Sequence, residues 1–221
     1  MRAMILAAGR GERMRELTLN TPKPLLKVQG RYLIEYAILR LASAGVSDIV
    51  INISYRGLQI KAALGDGSRY GVSLHYSEEQ ERLETGGGIF QALPLLGKEP
   101  FIVLSGDVLT DFPLENLPKQ LQGLAHLVMV DNPVYHPNGD FGMQGGKISL
   151  TAKPALTFGN ISLLHPDLFK GCEPGIFRLS SLLLPAIEKG QVTGEYYQGK
   201  WHNIGTPEDL NDVNAGNMPC E

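Results

Sequence analysis

Glycine, arginine and lysine near the start of the chain are spaced so that together they could hold a row of phosphates. The apolar run Met4-Ile5-Leu6-Ala7-Ala8 reads as a short buried strand, ended by Gly9 and Gly11. Glycine just past a strand lets the backbone approach an anion with its N–H groups turned toward it. Arg13 then offers a bidentate fork, and Lys23, between Pro22 and Pro24, a point charge; both suit polyphosphate. Leu6, Ala7, Ala8, Gly9, Gly11, Arg13 and Lys23 are therefore predicted to form a nucleotide-phosphate loop. It is not a Walker loop, because Glu12 rather than Lys follows Gly11, nor a dinucleotide fingerprint, whose third glycine is here Met14. A tight turn with surface charges is the plainer alternative.

Three later segments could add chemistry. Ser105-Gly106-Asp107 follows the apolar strand Phe101-Ile102-Val103-Leu104, and a carboxylate at such a strand end can hold a Mg²⁺ that bridges phosphate oxygens. Its alternative is an Asp capping a turn. Glu79 precedes Leu83-Glu84-Thr85-Gly86-Gly87-Gly88, where consecutive glycines would let a flat ring lie against the backbone while N–H groups read its edge. Trp201 to Glu208 reads as a Trp-anchored helix cap, with Thr206 as cap and Pro207 in the first turn.

The elements that must carry these residues alternate. Tyr32 to Ala44 is helical in period and stops at Gly45; Ile49 to Ile53 is a strand; Leu58 to Leu64 is a helix closed by Gly65. Val72 to Tyr76 is a strand, Gly86 to Leu96 a helix, and Phe101 to Leu104 a fully apolar strand. Such an order predicts an α/β fold whose mixed sheet is mostly parallel, with helices on both faces and ligands beyond the carboxyl ends of the strands. Past residue 125 the pattern changes to short strands at Leu127–Val130, Phe141–Met143, Lys147–Leu150 and Leu156–Leu164, then a helix at Ser180–Glu188. With no break in composition, residues 1–221 are expected to form a single domain with a small β-rich lid.

Composition narrows the class. A chain of 221 residues, 43% hydrophobic and 19% charged, can bury one large core, and its net charge of −3 offers no nucleic-acid surface. Cys172 and Cys220 form no CxxC and suggest a reduced compartment, and no run approaches the ~20 apolar residues of a membrane span. A cytoplasmic protein without nucleic-acid or membrane partners is the expectation, with oligomeric state left open.

The phosphate loop and its Pro-Lys-Pro resemble the L-A-x-G-x-G-x-R-M/L…P-K signature of the sugar-1-phosphate nucleotidylyltransferases, and the likeness runs from Met1 to about Leu210. The resemblance implies a Rossmann-like fold of the glycosyltransferase-A type, Mg²⁺ as cofactor, and UTP and a sugar-1-phosphate as substrates. Asp107 matches the family's metal-binding aspartate, and Asn203 stands where its closing W-x-D-I-G-T-P motif carries the second one. Glu79, Thr85 and Gly86 match the base-reading loop, with Glu84 in place of a usual glycine. The sugar side is implied by Asp140, by Lys153 in a segment like E-K-P with Ala152 for the acid, and by Asn160 where glycine is common.

Leu83 to Ile89, Val130 to Pro133 and His136 to Phe141 are similar to the subgroup of uridylyltransferases acting on N-acetylmuramate α-1-phosphate in cell-wall recycling. In such enzymes the sugar phosphate attacks the α-phosphorus of UTP and pyrophosphate leaves. By resemblance, Arg13 would hold the β- and γ-phosphates and Lys23 would bridge the α-phosphate and the sugar phosphate. Asp107 and Asn203 would hold the metal. The lactyl carboxylate of such a sugar needs a basic wall, for which Arg82, His136, Lys147 and Lys153 are the candidates. A sister enzyme using mannose- or glucose-1-phosphate with another nucleotide, and a nucleotide-binding paralogue without turnover, remain the alternatives.

Overall fold

Alternation of side chains along the first strand decides the layering. Ala3 and Ile5 enter one buried cluster and Met4 the other, so β1 (Arg2–Leu6) is covered on both faces. The computed structural model describes residues 1–216, so Cys220 lies outside the described residues. After β1 come the hairpin β2 (Lys27–Val28) and β3 (Arg31–Tyr32), α1 (Leu33–Ser43), β4 (Asp48–Ile53), α2 (Gly57–Leu64), β5 (Ser73–Glu78) and α3 (Glu84–Leu96). β6 (Phe101–Ser105), β7 (Val108–Thr110), β8 (Ala125–Val130), β9 (Gly142–Gln144), β10 (Lys147–Ser149) and β11 (Thr157–Leu164) follow. The described chain closes with α4 (Ser180–Glu188), β12 (Val192–Tyr196), β13 (Trp201–Asn203) and α5 (Pro207–Asn214).

Nine strands make one mixed sheet in the order β5-β4-β1-β6-β11-β8-β12-β10-β9. The half that carries the predicted phosphate loop, β5-β4-β1-β6, is parallel throughout. β11 then runs antiparallel to both β6 and β8, and β12 pairs parallel with β8. Ile34, Ala37, Ile38 and Leu41 of α1 and Ile60 and Leu64 of α2 cover one face; Ile89, Ala92 and Leu96 of α3 and Leu183, Ala186 and Ile187 of α4 cover the other. These are the three- and four-residue spacings of amphipathic helices.

The predicted elements are present with small shifts in their ends, and three features differ from expectation. β9 and β10 extend the central sheet as its far edge and make no separate sheet. β12 and the ladder of β7 with β13 were absent from the sequence reading. Val192-Thr193-Gly194-Glu195-Tyr196 mixes polar and apolar residues around a glycine, and β7 and β13 are three residues long each, too short for a periodic signal. The segment after Gly11, which carries no periodic signal, forms a 3₁₀ stretch, Glu12–Thr18.

Candidate active site

The carboxyl ends of the parallel strands open into a cleft of about 370 Å³ lined by Leu6 to Arg13, Lys23, Asn52, Glu79, Thr85 and Asp107. Every residue of the predicted phosphate loop lines it. Gly11 sits at φ 68°, and a Cβ there would come within 2.9 Å of Lys23 Cβ, so glycine lets the loop lie directly on the lysine. A Cβ on Gly9 would meet no protein atom within 4 Å, so the loop is open to the cleft at that point.

Arg13 is exposed, and its guanidinium lies on Gly205, whose Cβ would meet Nη1 and Nη2 at 3.2 Å. The glycine of the closing motif thus makes room for the arginine of the opening one. Gly205 and Thr206 donate their N–H groups to Asp209 Oδ2 at 2.9 and 2.8 Å, and Asp209 N–H returns to Thr206 Oγ1, a capping box that fixes the start of α5.

Lys23 Nζ donates to Asp107 Oδ2, and Ser105 Oγ donates to Asp107 Oδ1 at 2.5 Å. The β7–β13 ladder then places Asn203 opposite Val108, and Ile204 N–H donates to the Asp107 carbonyl at 2.9 Å. Residues almost a hundred positions apart in sequence are in this way held beside one another by backbone pairing. Trp201 anchors that ladder, its Nε1 donating to the Gly159 carbonyl at 2.8 Å. Asn203 Oδ1 is buried and has no hydrogen-bond partner. An orphaned acceptor costs about 1–3 kcal/mol, so it is a natural place for a ligand. Partial burial pushes the nearby Tyr135 phenol up, and the Asn203 amide beside it pulls it down.

Among the described residues no cluster of three or more His, Cys, Asp or Glu could hold a metal alone. Asp107 with the free Asn203 oxygen is a sparse oxygen set. It suits Mg²⁺, which keeps several waters and takes its other ligands from substrate phosphates.

At the other end of the cleft, Asn52 Oδ1 accepts Ala7 N–H at 2.8 Å, and Asn52 Nδ2 donates to Glu79 Oε1 at 2.7 Å. Leu83 N–H donates to Glu79 Oε2 at 3.2 Å. Glu79 is buried, and that burial raises its pKa above the ordinary value against the pull of these donors. Asn52 was missed in the sequence, although it is the one polar residue of the apolar run Ile49 to Ile53 and marks the strand end facing the loop.

A second lobe of about 360 Å³ adjoins the first and shares Leu6, Glu84, Thr85 and Asn160 with it. Asn160 sits at φ 56° in β11, where the register with β8 shifts. Asp140 lines this lobe, but both of its oxygens are engaged: Oδ2 accepts Phe158 N–H at 2.8 Å and Oδ1 pairs with His136 Nε2 at 3.1 Å. Its visible task is to hold the loop from Asn132 to Asp140 against β11.

Two predicted positions fall elsewhere. Gly86 lines neither lobe: its N–H and that of Gly87 donate to the Phe177 carbonyl at 2.9 and 3.0 Å, so they are not free to read a base. A Cβ on Gly86 would come within 2.5 Å of the Phe177 ring and one on Gly87 within 2.2 Å of the Gly175 carbonyl; close packing explains these glycines. Lys153 is exposed and lines neither lobe, as is true of Lys147 on β10. Arg178, Ser162 and Tyr135, none of them foreseen as cleft residues, line the second lobe.

Residues 2–145 match the nucleotidyl transferase family model. The chain is 44% identical to an N-acetylmuramate α-1-phosphate uridylyltransferase of Neisseria meningitidis over 97% of each chain. It is 33% identical to a mannose-1-phosphate guanyltransferase of Aspergillus fumigatus, matching 95% of this chain but only 62% of that longer protein. A crystal structure from Bacillus anthracis, assigned as a glucose-1-phosphate thymidylyltransferase and complexed with sucrose, superposes with a TM-score of 0.86 over 97% of this chain and 94% of that one. At 21% identity that last likeness is one of fold, and it agrees with a Rossmann-like architecture.

Proposed function

The chain belongs to the nucleotidyl transferase family and is a nucleotidyltransferase, and we propose that it transfers a uridylyl group from UTP to N-acetylmuramate α-1-phosphate. The products are UDP-N-acetylmuramate and pyrophosphate. The observation that carries the reading is the junction of the two lobes at Leu6, Glu84, Thr85 and Asn160. Lys23 and Asp107 line one lobe, and Asn203, which backbone pairing sets next to Asp107, lines the other, where a nucleotide would meet a sugar phosphate. The near full-length match to the meningococcal uridylyltransferase supports the choice of substrates.

In this reading the α-phosphate and the sugar phosphate, both anions, approach across Lys23, whose ammonium offsets their repulsion. Arg13, exposed and steadied on Gly205, grips the β- and γ-phosphates and stabilises charge as it develops on the departing pyrophosphate. No covalent enzyme intermediate is required. Asp107 and Asn203 would hold Mg²⁺, which supplies charge neutralisation at the phosphates. Backbone from Leu6 to Gly9, together with Thr85 and Glu79, would take the nucleoside. The Glu79 oxygens each hold one protein donor, and a carboxylate has lone pairs left for the N3–H of uracil. Such a reaction draws on UTP, so we place it in the cytoplasm, in the recycling of cell-wall sugars.

Pyrophosphate release measured across UTP, CTP, GTP and dTTP with several sugar-1-phosphates tests the proposal. UTP should exceed CTP by about tenfold or more, because cytosine N3 is an acceptor facing another acceptor. Equal rates with the two would remove Glu79 from base reading, and release with GTP and mannose-1-phosphate alone would favour the sister activity.

A further inference from the structure

The motif Leu83-Glu84-Thr85-Gly86-Gly87-Gly88 has a visible partner, the segment Gly175 to Leu179. Phe177 exchanges hydrogen bonds with it: Phe177 N–H donates to the Leu83 carbonyl at 3.2 Å, and the Phe177 carbonyl accepts from Gly86 and Gly87. Thr85 Oγ1 accepts Leu179 N–H at 3.0 Å. The glycines allow this approach, since a Cβ on either would overlap Phe177 or Gly175. One consequence is that Arg178 is held at the wall of the second lobe.

Arg178 is the only lysine or arginine among the described residues that line that lobe. Its side chain is 78% exposed, and its nearest carboxylate oxygen, Glu84 Oε2, is 3.9 Å away, so its hydrogen-bonding fork is left for other partners. Glu84 itself sits at φ 60°, an uncommon conformation for a non-glycine residue, and its other oxygen lies 3.3 Å from Arg82. The remaining basic group of the lobe, His136, is tied to Asp140.

Two independent features lie in the same lobe. Ser162 Oγ is 1% exposed and has no hydrogen-bond partner, so a buried hydroxyl is available to a ligand. Ser180 begins α4 there, and the positive end of that helix favours negative charge.

We propose that Arg178, with Ser162 and the start of α4, forms a carboxylate-reading wall that selects sugar phosphates bearing an acidic substituent. The inference rests on the second lobe being the sugar site of the reaction proposed above. A planar carboxylate matches the arginine fork in a way that a neutral sugar hydroxyl does not. A site built around a charged group also rejects analogues that lack it. Arg82, His136, Lys147 and Lys153 give way to Arg178 because they face the other lobe, are already paired, or line neither.

The test is kcat/KM for N-acetylmuramate α-1-phosphate and N-acetylglucosamine-1-phosphate at saturating UTP, in wild type, Arg178→Ala and Arg178→Lys. The ratio of the two values should fall about 10- to 100-fold in Arg178→Ala, through KM for the muramate, and recover in part in Arg178→Lys. A wild-type preference for the muramate that survives Arg178→Ala would overturn the role of Arg178 and leave the substrate reading standing. A wild type that turns over both without preference would overturn the substrate reading and this inference together.

Discussion

Glu79 joins a structural role to the base-reading role proposed for it. It is 5% exposed, it anchors Asn52 and through it the phosphate loop, and burial lifts its pKa above 4.5. Two opposite pH dependences follow from a raised carboxyl pKa. In the free chain, its contribution to stability is fully present below its unfolded pKa and is lost as pH rises through the folded value. Accepting N3–H of uracil instead requires the ionised form, so that part of UTP affinity should grow as pH rises through the same value. Calorimetric titration with UTP and with tripolyphosphate separates base from phosphates. The affinity ratio is expected to increase with a midpoint above 4.5, and a flat ratio would remove Glu79 from base recognition. Arg13 contrasts with it, being exposed and resting on Gly205. Arg13→Ala should lower kcat by about 10²–10⁴ while stability stays within about 0.5 kcal/mol. Near-normal turnover of the purified variant at saturating UTP and Mg²⁺ would show that Arg13 does not act on the leaving phosphates.

At the scale of elements, the metal site proposed above rests on the ladder of β7 with β13. It sets the unpartnered Asn203 oxygen beside the backbone of Asp107, whose carboxylate is held by Lys23 and Ser105. One carboxylate and one amide bring little negative charge, so free protein should bind Mg²⁺ weakly and bind it well only with UTP present. Asn203→Asp should tighten the free-state affinity and reduce that dependence, read by Mg²⁺ calorimetry with and without UTP. Tight Mg²⁺ binding to free wild type, unaffected by UTP, would contradict the assignment. The elements of the parallel half were legible in the sequence because most of the strands are short apolar runs buried on both faces and the helices repeat apolar residues at three and four. The cleft-lining loop from Leu6 to Arg13, with Lys23, could be singled out because its glycines and cations stand close together in sequence. This ladder was not: two three-residue strands carry no period, and their pairing spans about ninety residues. The Gly86–Phe177 contact was hidden for the same reason, so its glycines were read as room for a base when they are room for a neighbouring segment.

Across the whole molecule, one sheet carries two kinds of strand with two tasks. The parallel half presents loops at its carboxyl edge, where phosphate-binding backbone belongs. From β11 to β9 the directions are mixed, with β11 and β10 running against the other strands, and the bulge at β11 with the loop from Asn132 to Asp140 walls the second lobe. No helix among the described residues is long and apolar enough to cross a membrane. The meeting of the lobes at Leu6, Glu84, Thr85 and Asn160 is the geometric basis for joining a nucleotide to a sugar phosphate. The most direct measurement of that claim is a competition: UTP and Mg²⁺ with equal amounts of N-acetylmuramate-, N-acetylglucosamine-, glucose- and mannose-1-phosphate, products resolved by mass spectrometry at low conversion. UDP-N-acetylmuramate should dominate the nucleotide sugars formed, with pyrophosphate in equal amount. Predominance of any other UDP-sugar, or no nucleotide sugar at all from UTP, would contradict the account.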